Sequence, residues 1–218
     1  MEKNIAILIA DLSGYTALTE AHGASTAAET VQKYRNLVLA SLSGNSTLHE
    51  CMGDEVMIVS DFPDDLINSA INLIINCSKE NYFPQIHGAL HYGKVLKHNN
   101  HYFGSPVNQT ARIAGKANKG AFWCSSTFIN VLSNPSAFGF SSKGKHSFKN
   151  VSGKIEVYEI IINNILKYHV DPVCRMLIHN TENAIPHPDD KGIFFCSPHC
   201  LKVALEESNT LEYEFSTN

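Results

Sequence analysis

A chain of 218 residues, 44% of them hydrophobic, holds enough apolar material for one medium domain and a small appendage, which excludes a wholly disordered chain. Its net charge of −4 gives no general pull towards nucleic acid or anionic membrane. No apolar run approaches the roughly 20 residues that cross a bilayer, and the start Met1-Glu2-Lys3-Asn4-Ile5 lacks the basic segment of a signal peptide. The expectation is a cytoplasmic protein with neither nucleic-acid nor membrane partners.

Ile5 to Ala10 is a continuous apolar run, the pattern of a strand buried on both faces. It ends at Asp11, and Ser13-Gly14 makes a turn. From Thr26 the chain reads as a helix: Thr26 and Glu29 fit a capping box, and Val31, Tyr34, Val38 and Leu42 form one stripe. Gly44-Asn45 stops it. Two short strands follow, around Ser46–Cys51 and Glu55–Ser60, with Gly53-Asp54 at the turn between them. Pro63 then opens a helix, with Asp64 and Asp65 favouring its positive end.

Ile86–Leu90 and Lys94–Leu96 read as strands either side of Tyr92-Gly93. A helix is expected from Pro106 to Ala117, a buried strand over Ala121–Ser125, and a terminal hairpin over Phe138–Ile162 turning near Ser152-Gly153. Strands and helices interleave while two early strands pair as a hairpin, so the fold class is α+β, a ferredoxin-like sandwich on a mixed sheet. Asn163 to His169 is a polar joint, placing a boundary near 165. Beyond it acids outnumber bases eight to four, which accounts for the whole net charge, and three of the six cysteines crowd there. Without a secretory signal, such a cluster points to a thiolate or metal site rather than a disulfide framework.

Asp11 closes a buried strand and Asp54 sits on the hairpin turn that a ferredoxin-like sheet places beside it. Alone, each is ordinary turn chemistry; as a pair, their hard oxygens suit Mg²⁺ or Mn²⁺. The Ser13-Gly14-Tyr15-Thr16 segment would open the following helix and offer backbone N–H groups to a phosphate. Asn108 and Arg112, four apart on a helix, share a face. Such pairs are usually solvated surface, yet Asn suits a ribose hydroxyl and Arg a charge developing on phosphorus.

Three segments carry a resemblance. Ile9-Ala10-Asp11-Leu12-Ser13-Gly14-Tyr15-Thr16, Met52-Gly53-Asp54-Glu55-Val56-Met57 and Tyr102 to Arg112 resemble, in order and spacing, the signature segments of the class III nucleotidyl cyclases. The likeness covers about residues 1–162. It implies that Asp11 and Asp54, with the carbonyl of Leu12, hold two Mg²⁺ or Mn²⁺ ions. One would activate the ribose 3′-hydroxyl and the other neutralise the pyrophosphate as a 3′,5′-cyclic nucleotide forms. It also implies that Asn108 orients the ribose, that Arg112 stabilises the transition state, and that these two come from the opposite subunit of a head-to-tail homodimer.

The departures fall on base recognition. Adenylate cyclases of the family carry Lys where this chain has Glu50, and Asp or Thr where it has His101. Ionised Glu50 only accepts and neutral His101 can donate, a pair that suits guanine, so GTP is preferred to ATP, with a pyrimidine nucleotide left open. A site built for one hydrogen-bond pattern rejects its inverse.

The tail contains Asp171-Pro172-Val173-Cys174-Arg175-Met176 and Phe194-Phe195-Cys196-Ser197-Pro198-His199-Cys200. Three thiols, two of them separated by three residues at a helix start, resemble thiolate ligation of Zn²⁺ or another soft metal. Both segments look like the YHS domain, a small treble-clef-like module, over about residues 169–205. Arg175 stands where that family usually has Gly, and the fourth ligand stays open among His199, His187, His179 and water. The stretch Glu206 to Glu214 reads as a solvated helix end. Two rival functions remain: a nucleotide-binding sensor without turnover, and a metal-binding protein that uses the first domain to dimerise.

Overall fold

The structure, a computed structural model, describes residues 1–163 and 167–206. Its centre is β1 (Glu2–Leu12), flanked antiparallel by β3 (Glu55–Ser60) and β4 (Ile86–His98). The sheet runs β2 (Thr47–Met52), β3, β1, β4, β6 (Phe122–Ser125), β8 (Lys154–Ile161), β7 (Gly139–Ser147), with β5 (His101–Phe103) attached to β4. Among the described residues only β4 and β6 run parallel, and α3 (Ser105–Ala114) lies in the crossover between them.

β1 is apolar throughout because both its faces are covered. Ala6, Leu8, Ala10 and Leu12 pack against α1 (Tyr15–Ser41) and α2 (Pro63–Ser78), through Tyr34, Val38, Leu66 and Ile67. Ile5, Ile7 and Ile9 pack on the other face against Ile113 of α3, Val95 and Trp123. The mixed α+β architecture and the terminal hairpin match the sequence reading.

Three elements differ from it. α1 starts at Tyr15, not Thr26, and contains a break at Gly23 (φ 81°, ψ 165°). Thr26 is therefore interior to the helix, Thr30 hydrogen-bonds back to its carbonyl, and no capping box forms there. The earlier turns form because Leu18 and Ala21 have something to pack on, which local periodicity does not show. β4 is one strand rather than two. Gly93 is no turn: a Cβ there would stand 2.5 Å from Pro106 Cγ, so its bare backbone admits α3. α3 ends at Ala114, three residues early, and a short α4 (Ser126–Ile129) follows β6.

The tail forms two small pairs, β9 (His169–Val170) with β10 (Leu177–Ile178) and β11 (Ile185–Pro186) with β12 (Phe194–Phe195), then a helix over 198–206. Its edge is laced to the loop before β4: Tyr82 N–H donates to Leu177 O (2.8 Å), Leu177 N–H to Phe83 O (2.8 Å) and Gln85 N–H to Arg175 O (2.9 Å). Cys174, Met176, Phe195 and Cys200 share one apolar cluster with Leu18 and Ala27 of α1. The tail thus borrows its core from α1. The joint near 165 and the acidic stretch after Glu206 lie outside the described residues. No helix among the described residues is long and apolar enough to cross a membrane.

Candidate functional site

The antiparallel register sets Asp11 opposite Glu55, the first residue after the Gly53-Asp54 turn. Gly53 takes the left-handed conformation that turn needs (φ 61°). Asp54 therefore comes down beside Asp11. The half-buried Asp11 carboxyl is pushed up to about 7, by burial first and then by the charge of Asp54 and a hydrogen bond shared with it. Glu55 is also held above its ordinary range, by burial and by Asp54 and Glu50. Like charges gathered this closely are unfavourable until a cation or a proton sits among them. The donor set is all hard oxygen, which fits Mg²⁺ or Mn²⁺ and not a soft metal. Asp11 Oδ1 also accepts the Leu12 N–H (2.9 Å), fixing the carboxylate.

His87 stands opposite Asp11 on β4, with Nδ1 3.1 Å from the Ser13 hydroxyl. Burial holds its pKa down although Asp54 pulls it up. Sequence reasoning missed this residue, because only the β1–β4 register makes it a neighbour. Of the phosphate segment, Ser13 donates its backbone N–H to Gln85 O (2.7 Å). That group is spent, and the segment's remaining N–H groups belong to Gly14 and the first turn of α1.

Asn108 and Arg112 lie on the exposed face of α3, while Pro106, Thr110 and Ile113 are buried. Asn108 joins Ile9, Glu50, Glu55, Met57 and Val107 in lining an open groove on the α3 face of the sheet. Neither the Asn108 nor the Arg112 side chain makes a hydrogen bond or ion pair among the described residues.

Glu50 and His101, distant in the chain, meet at 3.2 Å between Oε1 and Nδ1. A bulge in β2 skips His49 in the pairing with β3 and brings its ring within 3.5 Å of the same Glu50 oxygen. His49 Nε2 is buried without a hydrogen bond, and burial lowers its pKa. Strict strand alternation would put residues 49 and 50 on opposite faces, which is why the sequence hid this third member.

The tail thiols converge as well. Cys174 Sγ lies 3.4 Å from Cys196 Sγ, which lies 3.8 Å from Cys200 Sγ. The fourth member is His22 of α1: its Nε2 is 3.4 Å from Cys196 Sγ and 3.9 Å from Cys200 Sγ. His179, His187 and His199, the sequence candidates, stand outside this cluster of four. Arg175 keeps the turn after Cys174 in the left-handed conformation (φ 64°), the backbone a Gly would adopt without strain.

No family model matches the chain. It is 29% identical over 156 residues to an adenylate cyclase of Glutamicibacter nicotianae, covering 71% of this chain and 38% of that protein; it thus spans about two fifths of that relative's length. Among solved structures it resembles adenylate cyclases of Trypanosoma brucei in their monomeric state, with a TM-score of 0.65 at 16% identity over 72% of this chain and 89% of the other. It also resembles the guanylate cyclase domain of RhGC from Catenaria anguillulae in complex with GTP, with a TM-score of 0.61 at 17% identity over 74% and 98%. The chain is thus similar in sequence to an adenylate cyclase and shares the fold of adenylate and guanylate cyclase domains.

Proposed function

We propose that this chain is a class III nucleotidyl cyclase that works as a homodimer and prefers GTP to ATP. The observation that carries the reading is the meeting of Asp11 and Asp54 at one end of the sheet, with Asp11 pushed up to about 7. In the reaction the ribose O3′ bonds to the α-phosphorus, the bond from that phosphorus to the β-phosphate bridging oxygen breaks, and the 3′-hydroxyl proton passes to solvent. Asp11, Asp54 and the Leu12 carbonyl would hold two Mg²⁺ or Mn²⁺ ions. When bound, these supply the positive charge that acidifies the 3′-hydroxyl and neutralises departing pyrophosphate.

The chain's own groups do the positioning. The N–H groups of Gly14, Tyr15 and Thr16 face phosphate oxygens at the positive end of α1. Asn108 holds the ribose and Arg112 meets charge developing on phosphorus, both lent by the second chain; their exposure without a partner supports that assignment. Met52 (71% exposed), which lines the same groove as Asn108, leaves apolar surface there for the twin to cover. Glu50 accepts from the two adjacent N–H donors of guanine, and His101 donates to its carbonyl oxygen.

The test is incubation of the purified chain with each of the four ribonucleoside triphosphates and Mn²⁺, with products identified by mass. Cyclic GMP in excess over cyclic AMP is expected. Cyclic AMP in excess would remove the base assignment, and no cyclic product from any nucleotide would overturn the enzyme reading.

A further inference from the structure

The residue that completes the thiol cluster does not belong to the tail. His22 lies on the first segment of α1, immediately before the break at Gly23, and its imidazole meets three sulfurs brought from two separate stretches of the tail. A tetrahedral ion with metal–sulfur bonds of about 2.3 Å and a metal–nitrogen bond of about 2.0 Å sets its sulfurs about 3.8 Å apart and sulfur about 3.5 Å from nitrogen. The sulfur pairs at 3.4 and 3.8 Å and the sulfur–nitrogen pairs at 3.4 and 3.9 Å lie within about 0.4 Å of that spacing. Thiols are weak hydrogen-bonding groups, so packing three of them around one imidazole gains little unless something binds them all.

The surroundings fix the donors in place. Asp171 is fully buried, and its carboxylate accepts from Val173 N–H (2.8 Å) and Cys174 N–H (3.1 Å) through one oxygen and from Cys196 N–H (2.8 Å) through the other. One side chain thus ties both ligand-bearing loops together. Cys200 N–H is held by the Ser197 hydroxyl (3.2 Å). Cys174 and Cys200 are buried and His22 and Cys196 half-buried; with four protein donors and none exposed, the set suits a structural rather than a catalytic site.

We propose that His22, Cys174, Cys196 and Cys200 bind one thiophilic divalent ion of the Zn²⁺ class in a closed tetrahedral site shared between the main domain and the tail, and that this ion clamps the tail onto the β1–α1 turn. The clamp has a specific point of contact. A Cβ on Gly14 would stand 2.7 Å from Arg175 Cγ and 3.1 Å from the Cys174 carbonyl oxygen, so the residues beside the first thiolate ligand press on the turn that follows Asp11. Arg175 also donates to Gln85 Oε1 (2.8 Å), and Gln85 O holds the Ser13 N–H. Ion, tail and turn therefore form one connected unit. Its bearing on turnover rests on the cyclase reading, so the experiment below uses no turnover and fails separately from it.

The full-length chain is stripped with a chelator, reloaded with Co²⁺ as a spectroscopic stand-in, and followed by visible absorption, metal content and amide hydrogen exchange. We expect one Co²⁺ per chain with the intense tetrahedral bands and thiolate charge-transfer absorption of a three-sulfur, one-nitrogen set. His22→Ala should weaken binding in chelator competition by at least about tenfold, and His22→Cys should restore it with a four-sulfur spectrum, whereas His199→Ala should change neither. Fluorescence of Trp123, the only tryptophan, checks that each variant keeps the main domain. Stripping the ion should speed exchange at residues 13–18 and 171–177 together. Wild-type affinity in His22→Ala, or loss of the ion in His199→Ala, overturns the shared site. Unchanged exchange at residues 13–18 on stripping overturns the clamp.

Discussion

Two clusters of ionisable side chains lie at either end of one turn, and they are built on opposite terms. At the sheet end, Asp11, Asp54 and Glu55 are hard oxygen donors set by strand register, half open to solvent and mutually repelling. Beyond Gly14, three thiols and an imidazole are soft donors set by the docking of one unit on another. The first arrangement leaves room for a substrate to share its cation, and the second leaves none. Donor chemistry therefore suits the two clusters to different kinds of metal ion, and the turn at Gly14 borders both.

The largest effect should come from the open cluster. Asp54→Asn is expected to lower cyclic nucleotide formation by at least about a thousandfold, as loss of a charge-bearing group at a metal site implies, while leaving the tail's bound ion untouched by metal analysis. Arg112→Ala should cost about 10²–10³ in rate. Mixing Asp54→Asn chains with Arg112→Ala chains then sharpens the picture: in the proposed dimer, where each site takes one group from each chain, random pairing should restore about a quarter of wild-type activity. No recovery on mixing would place both groups in one chain.

A third expectation concerns the base. Exchanging Glu50→Lys together with His101→Asp inverts donors and acceptors at the groove edge and should move the GTP-to-ATP ratio of kcat/KM by about 10- to 100-fold towards ATP. Competition assays with both nucleotides read this directly.

Smaller effects separate the two clusters by stability. Asp11 titrates near 3.8 when unfolded and at about 7 when folded, so the folded state prefers its protonated form. Metal-free protein should carry no penalty below pH 3.8, lose stability as pH rises from there, and bear the whole cost above pH 7. Thermal melts of wild type should thus fall by several degrees relative to Asp11→Asn across that window, and Mg²⁺ should offset the fall. Gly14→Ala should cost about 1–2 kcal/mol from its left-handed backbone alone (φ 79°), with a further loss as Arg175 gives way, read by chemical denaturation.

Much of this was legible in the residues themselves. The buried strand ending at Asp11, the hairpin turn at Asp54, the Pro63 helix start and the last hairpin follow from hydrophobic period and turn chemistry, which act over a few residues. The shared face of Asn108 and Arg112 follows from helix geometry, and the three tail thiols from their spacing. Glu50 and His101 were named together only through resemblance.

What the sequence determined, then, was which residue types stood at element ends and on which periodic face, because those depend on neighbours along the chain. The tertiary structure decided which ends meet. The β1–β4 register made His87 a neighbour of Asp11, the β2 bulge turned His49 towards Glu50, and the docked tail extended α1 back to Tyr15 and gave its thiols His22. Each joins residues far apart in the chain, where loop-closure entropy opposes contact and only collective burial overcomes it. No local pattern records that balance.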